Sequence, residues 1–132
     1  KSTKMKFEHF ALNVTNPNAV ADWYIKNLGA QIVHQVDNET QTKFLADDTG
    51  HVFLEIYNNP KGEFLKFEKL HVLGFHVAFV SHDSAKDRDR LIREGATVVE
   101  EVIPNEGSLL VMMRDPFGIP LQLCQRSKPL TN

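Results

Sequence analysis

The sequence predicts an α+β domain built from two copies of one strand–helix–three-strand (βαβββ) module. The first observation behind this is spacing: His9 precedes Glu55 by 46 positions, and His76 precedes Gln122 by the same 46. The second is that their surroundings repeat. Phe10-Ala11-Leu12 is matched by Val77-Ala78-Phe79, Gly29-Ala30-Gln31-Ile32-Val33 by Gly95-Ala96-Thr97-Val98-Val99, and Asp48-Thr49-Gly50 by Asp115-Pro116-Phe117-Gly118, at a shift of 66 to 68 residues. The third is that both halves show the same order of periodic segments, each with a helical stretch stopped by glycine. Two copies make a duplicated module, because an open solenoid needs three or more units to bury its faces.

In the first half, Phe7 to Val14 reads as a strand. Asn16-Pro17 then supplies an N-cap and a proline at the first helical position. Val20, Trp23, Tyr24 and Leu28 fall on one helical face, and Gly29 ends the helix. Gln31 to Val36, Thr42 to Ala46 and His51 to Tyr57 follow as strands separated by polar turns. The second half repeats the plan: strand Gly74 to Val80, helix Asp83 to Glu94 stopped by Gly95, and strands Thr97 to Ile103, Ser108 to Arg114 and Ile119 to Gln125. Module one thus spans residues 5–57, a connector 58–70, and module two 71–126 of a single domain, 1–132. The connector contains Pro60 and Gly62 but also Phe64, Leu65 and Phe67, which favours packing over free solvation.

Side chains alternate across a strand, so His9 shares a face with Phe7, Ala11 and Asn13, while Phe10, Leu12 and Val14 form the opposite, apolar face. By the same parity Glu55 lies with Phe53 and Tyr57, His76 with Ala78, and Gln122 with Cys124. In every strand the candidate ligand opposes a row suited to helix packing. His9, Glu55, His76 and Gln122 are two imidazoles, a carboxylate and a neutral oxygen donor, a set able to hold one divalent ion; nickel, zinc, manganese and iron all accept such donors. The remaining histidines, His34, His51, His71 and His82, have no counterpart in the other module and suit surface or turn positions. Cys124 reads as a small buried hydrophobe. Phe53 and Tyr57 line a substrate pocket or fill the interior, and Arg114 holds an anion or caps a turn.

Composition narrows the function classes. The 132 residues suit one domain, and a net charge of −2 gives no reason to expect nucleic acid or an anionic membrane as partner. No apolar run reaches the length of a membrane span, no signal-peptide pattern opens the chain, and the one cysteine fits a reducing compartment. The expectation is a cytoplasmic protein whose partner is a small molecule.

Trp23-Tyr24-Ile25-Lys26-Asn27-Leu28-Gly29 is similar to an FYxxxLG element and Asp115-Pro116-Phe117-Gly118 to DPxG. With the two modules, these resemble the vicinal oxygen chelate superfamily of glyoxalases, bleomycin resistance proteins and extradiol dioxygenases, and the likeness spans nearly the whole chain. The His-led first strand, Glu55 with Asn59 four positions on, and Gly74-Phe75-His76-Val77-Ala78 are similar to bacterial glyoxalase I. The resemblance implies a half-barrel of two modules paired in a homodimer. It also implies metal positions at His9, Glu55, His76 and Gln122; beside these, Asn13, Phe53, Tyr57, Asn59 and Arg114 are the candidate substrate-binding residues. Glyoxalase I has glutamate at the fourth metal position, as ligand and proton shuttle, where this chain has Gln122, and an amide is no general base near neutral pH. Asn13 stands where that family places an arginine for glutathione, leaving Asn59 alone of that set. Related epimerases carry a His, Gln, His, Glu order that a swap of modules converts into the order here.

The leading expectation is therefore a metal-dependent, glyoxalase-like lyase or isomerase acting on a small oxygenated substrate through an enediolate, with Glu55 as the catalytic proton carrier. Two alternatives stand beside it. One is an Fe(II) dioxygenase using His9, His76 and Glu55 as a two-histidine, one-carboxylate triad; the other is a metal-free small-molecule-binding protein of the bleomycin-resistance kind.

Overall fold

A computed structural model describes residues 3–131. Over them the chain runs β1 (Ala11–Asn13), α1 (Pro17–Leu28), β2 (Gln31–Gln35), β3 (Lys43–Ala46), β4 (Val52–Tyr57), a 3-10 turn (Phe67–Lys69), β5 (Val77–Val80), α2 (Ser84–Arg93), β6 (Thr97–Val102), β7 (Leu109–Arg114) and β8 (Pro120–Gln125). It divides into two units, Lys1–Leu65 and Lys66–Asn132. Each holds one four-stranded mixed sheet, ordered β1-β4-β3-β2 in the first and β5-β8-β7-β6 in the second. In both, the first strand pairs parallel to the last and the others pair antiparallel. The expected α+β architecture of two βαβββ modules is the observed one. The duplication extends to register: Ala11 faces Glu55 in the first sheet, and Ala78 faces Gln122 in the second.

In the first unit the Asn16 side chain accepts from the Ala19 amide to cap α1, and Gly29, at φ 70°, ends it in the left-handed conformation that costs glycine least. The buried face of α1 is Pro17, Val20, Ala21, Tyr24 and Asn27. Trp23 and Leu28 are half-exposed, so the inward stripe is rotated from the Val20–Trp23–Tyr24–Leu28 face that periodicity suggests. Small Ala21 is fully buried, while bulky Trp23 stands half-exposed beside Tyr24, ring centroids 5.5 Å apart. Beneath the helix lie Leu12, Val14, Leu45, Leu54 and Ile56, all buried. Phe10, expected in that row, is 54% exposed, and the row begins at Leu12.

The second unit packs the polar helix α2 against β7 and β8 through Leu91, with Val111, Met113, Leu121 and Leu123 buried on the same side of the sheet. Asp83 caps α2 by accepting from the Lys86 amide. The first strand of this module starts at Val77 rather than Gly74. Parallel register sets His76 beside Pro120, which has no N–H to donate, so the ladder cannot extend through it.

The last two strands of each module are joined by one kind of turn. In the second unit Asp115 Oδ1 accepts from the amides of Phe117 and Ile119. In the first, Asp47 Oδ1 accepts from those of Thr49 and His51. Asp47, not Asp48, is therefore the counterpart of Asp115. The Thr49 hydroxyl and these amides hold the Asp47 carboxyl below its ordinary range.

Arg114 fastens the connector to the second unit. Its guanidinium donates to the carbonyls of Phe67 (2.8 Å), Leu70 (2.6 Å) and Gly118 (3.1 Å). Gly118 leaves room for this approach, since a Cβ there would stand 2.8 Å from the Glu68 nitrogen. Arg114→Met keeps the apolar stem but abandons three carbonyls; we expect a loss of about 2–3 kcal/mol in urea unfolding, and an unchanged midpoint would contradict this clasp.

Candidate functional site

Module one presents His9 and Glu55 together. His9 lies two residues before the first ladder pair, and the Glu55 amide donates to the Phe10 carbonyl, which sets the two side chains side by side. His9 Nε2 is 3.1 Å from Glu55 Oε1. That is hydrogen-bond distance, and it brings an imidazole nitrogen and a carboxylate oxygen close enough together for both to approach one ion. The other ring nitrogen, Nδ1, donates to Glu8 Oε1 at 2.8 Å, which directs Nε2 toward Glu55. The ring also packs edge-on against Phe44, centroids 5.3 Å apart, and Phe44 is the ladder partner of Glu55. Phe53 and Tyr57, on the same face of β4 by parity, are half-buried.

Module two presents His76 and Gln122. His76 Nδ1 donates to the Val72 carbonyl at 3.1 Å, which fixes the proton there and leaves the Nε2 lone pair outward, the arrangement a metal-ligating histidine needs. The Gln122 amide oxygen accepts from the Cys124 thiol at 3.4 Å. Both His76 and Gln122 line a cavity of 620 Å³, with Cys124 and Arg126 further along the same wall. Burial pushes the Cys124 thiol up in pKa, and Arg126 beside it acts in the opposite sense.

Three further residues have backbone partners. The Asn13 amide donates to the carbonyls of Asn59 and Glu63, and its oxygen accepts from the Asn59 amide. Asn59 Oδ1 accepts from the Lys61 amide, and Arg114 forms the clasp described above. Among the described residues, no three of His, Cys, Asp and Glu gather closely enough to hold a metal. The candidate ligands occur instead as one pair in each module.

Glu8, Phe44 and Val72 carry no repeat or motif. Only strand parity could have pointed to Phe44, which alternates with Leu45 on β3.

The family model described as glyoxalase/bleomycin resistance protein/dioxygenase superfamily matches residues 6–123. No curated protein matches the chain. Among solved structures, the chain is similar to TnmS3, an antibiotic binding protein from Streptomyces sp. CB03234 (18% identity, 96% of this chain and 100% of that one, TM-score 0.70). It is also similar to a glyoxalase family protein from Enterococcus faecalis (22%, 91% and 97%, 0.68). A third is the genomically encoded fosfomycin resistance protein FosX from Listeria monocytogenes (15%, 96% and 95%, 0.70). No helix among the described residues is long and apolar enough to cross a membrane. With two βαβββ modules in matched register and a family match over nearly its full length, this chain belongs to the glyoxalase/bleomycin resistance protein/dioxygenase superfamily, the vicinal oxygen chelate superfamily.

Proposed function

We propose that the protein is a metal-dependent lyase or isomerase of the glyoxalase type, acting on a small oxygenated substrate, with one divalent ion held by His9, Glu55, His76 and Gln122. The observation that carries this reading is the matched pair of donors, a histidine and a side-chain oxygen donor at the same place in each module. The donors suit nickel, zinc, manganese or iron: two imidazoles, one carboxylate and one amide oxygen. Both histidines have Nδ1 committed to an oxygen acceptor, which turns Nε2 toward a ligand. When bound, the ion polarises a carbonyl and stabilises the negative charge that develops beside it. Glu55 is the one carboxylate of the set, so it moves the proton at Oε1 or Oε2. Gln122 binds and orients through its oxygen, and cannot take a proton near neutral pH.

The working unit we propose is a cytoplasmic homodimer in which the His9–Glu55 pair of a first module meets the His76–Gln122 pair of a second. Exposure supports a covering partner for each face: Phe7 is 74% and Val80 83% exposed. Light scattering that finds only monomer removes the dimer.

A second reading, ligand sequestration without chemistry, is favoured by the amide at position 122 together with the open cavity of the second module. Metal-loaded protein assayed with methylglyoxal and glutathione, with oxygen uptake followed in parallel, separates the possibilities. Loss of hemithioacetal supports the lyase, and oxygen consumption with a catechol supports an iron dioxygenase built on His9, His76 and Glu55. Neither, alongside tight binding of an antibiotic-like molecule, supports sequestration.

A further inference from the structure

The cavity of the second module contains a cation that the proposed metal chemistry does not use. Its walls include Val80 on β5 and Leu130 after β8, both largely exposed apolar side chains, together with Phe79 and Pro129. Arg126 lies on the same wall as His76 and Gln122. Parity along β8 and just beyond it sets Gln122, Cys124 and Arg126 on one side.

Three other arginines are occupied, Arg90 by Asp87. Arg114 donates to three carbonyls, and Arg88 pairs with Asp89 and Glu101. Among the described residues no carboxylate pairs with Arg126. A guanidinium offers five donors in a planar fork. Such a fork at the edge of an apolar cavity is suited to an oxyanion, bound bidentately.

We propose that this cavity takes a small organic acid, its oxyanion paired with Arg126 and its apolar body against Val80 and Leu130. The placement of the acid's reactive end beside His76 and Gln122 rests on the function proposed above, whereas binding of the acid to Arg126 does not require a metal. Arg126 is thus a specificity residue: it selects anionic over neutral substrates.

The test is a titration of chelator-treated full-length protein with benzoate, phenylphosphonate and the neutral isostere benzamide, followed by amide NMR shifts. Saturable shifts over residues 77–80 and 120–126 with at least one acid are expected, benzoate alone marking a carboxylate site and phenylphosphonate alone a phosphonate site. Arg126→Gln should weaken that binding by about tenfold or more, with Arg126→Lys retaining part of it. Amide dispersion elsewhere checks that the variants fold. Benzamide binding as well as the acids, unchanged affinity in folded Arg126→Gln, or no saturable binding of either acid overturns the proposal. A separate divalent-ion titration keeps the two ideas apart. Acid binding without metal binding removes only the lyase reading, and metal binding without acid binding removes only this one.

Discussion

Glu55→Ala is expected to weaken divalent-ion binding by at least about 100-fold, and Gln122→Ala by no more than about tenfold. The difference follows from charge. Removing a partner that merely orients a metal ligand already costs roughly 10- to 100-fold, and Glu55 is the only anionic ligand of the proposed set. It also removes the oxygen that stands 3.1 Å from His9 Nε2. Gln122 contributes a neutral dipole whose hydration in the free protein offsets much of its gain on binding. Competition against a chromophoric chelator reads both constants. Equal losses, or a larger loss for Gln122→Ala, would contradict the assignment of Glu55 as principal ligand.

The second large effect is a gain. Gln122→Glu is expected to raise turnover of the methylglyoxal–glutathione hemithioacetal by about 100-fold or more, because a positioned general base contributes roughly 10²- to 10⁴-fold. The substitution is nearly isosteric, and the thiol of Cys124 that meets the amide oxygen at 3.4 Å can donate equally to a carboxylate. An increase would identify the amide as what limits proton transfer. Equal and negligible rates in both forms would move the protein toward sequestration or oxygenase chemistry.

The architecture was legible in the sequence because duplication leaves two independent copies of one pattern. Equal spacing of His9–Glu55 and His76–Gln122 translates directly into the paired registers Ala11 with Glu55 and Ala78 with Gln122. What set those ligands was less legible. The acceptors on the two histidines are a neighbouring exposed carboxylate, Glu8, and a backbone carbonyl, that of Val72, and neither has a sequence signature. Arg114 and Asn13 looked like substrate contacts by position, yet their donors serve the backbone of the connector, a use that depends on how residues 59–70 fold back on their own modules. Helical periodicity located α1 but misjudged its inward face, which buries Ala21 and leaves Trp23 half-exposed. The register of the Asp47 turn shifted by one residue for a similar reason: either aspartate fits the pattern, and only the hydrogen bonds to Thr49 and His51 choose between them.

The central claim is that pairs from both modules hold one ion, and metal titration of wild type, His9→Ala and His76→Ala tests it most directly. The protein should be prepared without chelator and without a nickel-affinity step. One tightly bound divalent ion per chain is expected in wild type, with a loss of at least about 100-fold in affinity in each variant, because each removes a ligand from the same site. No saturable binding to wild type, or full affinity in either variant, would contradict it.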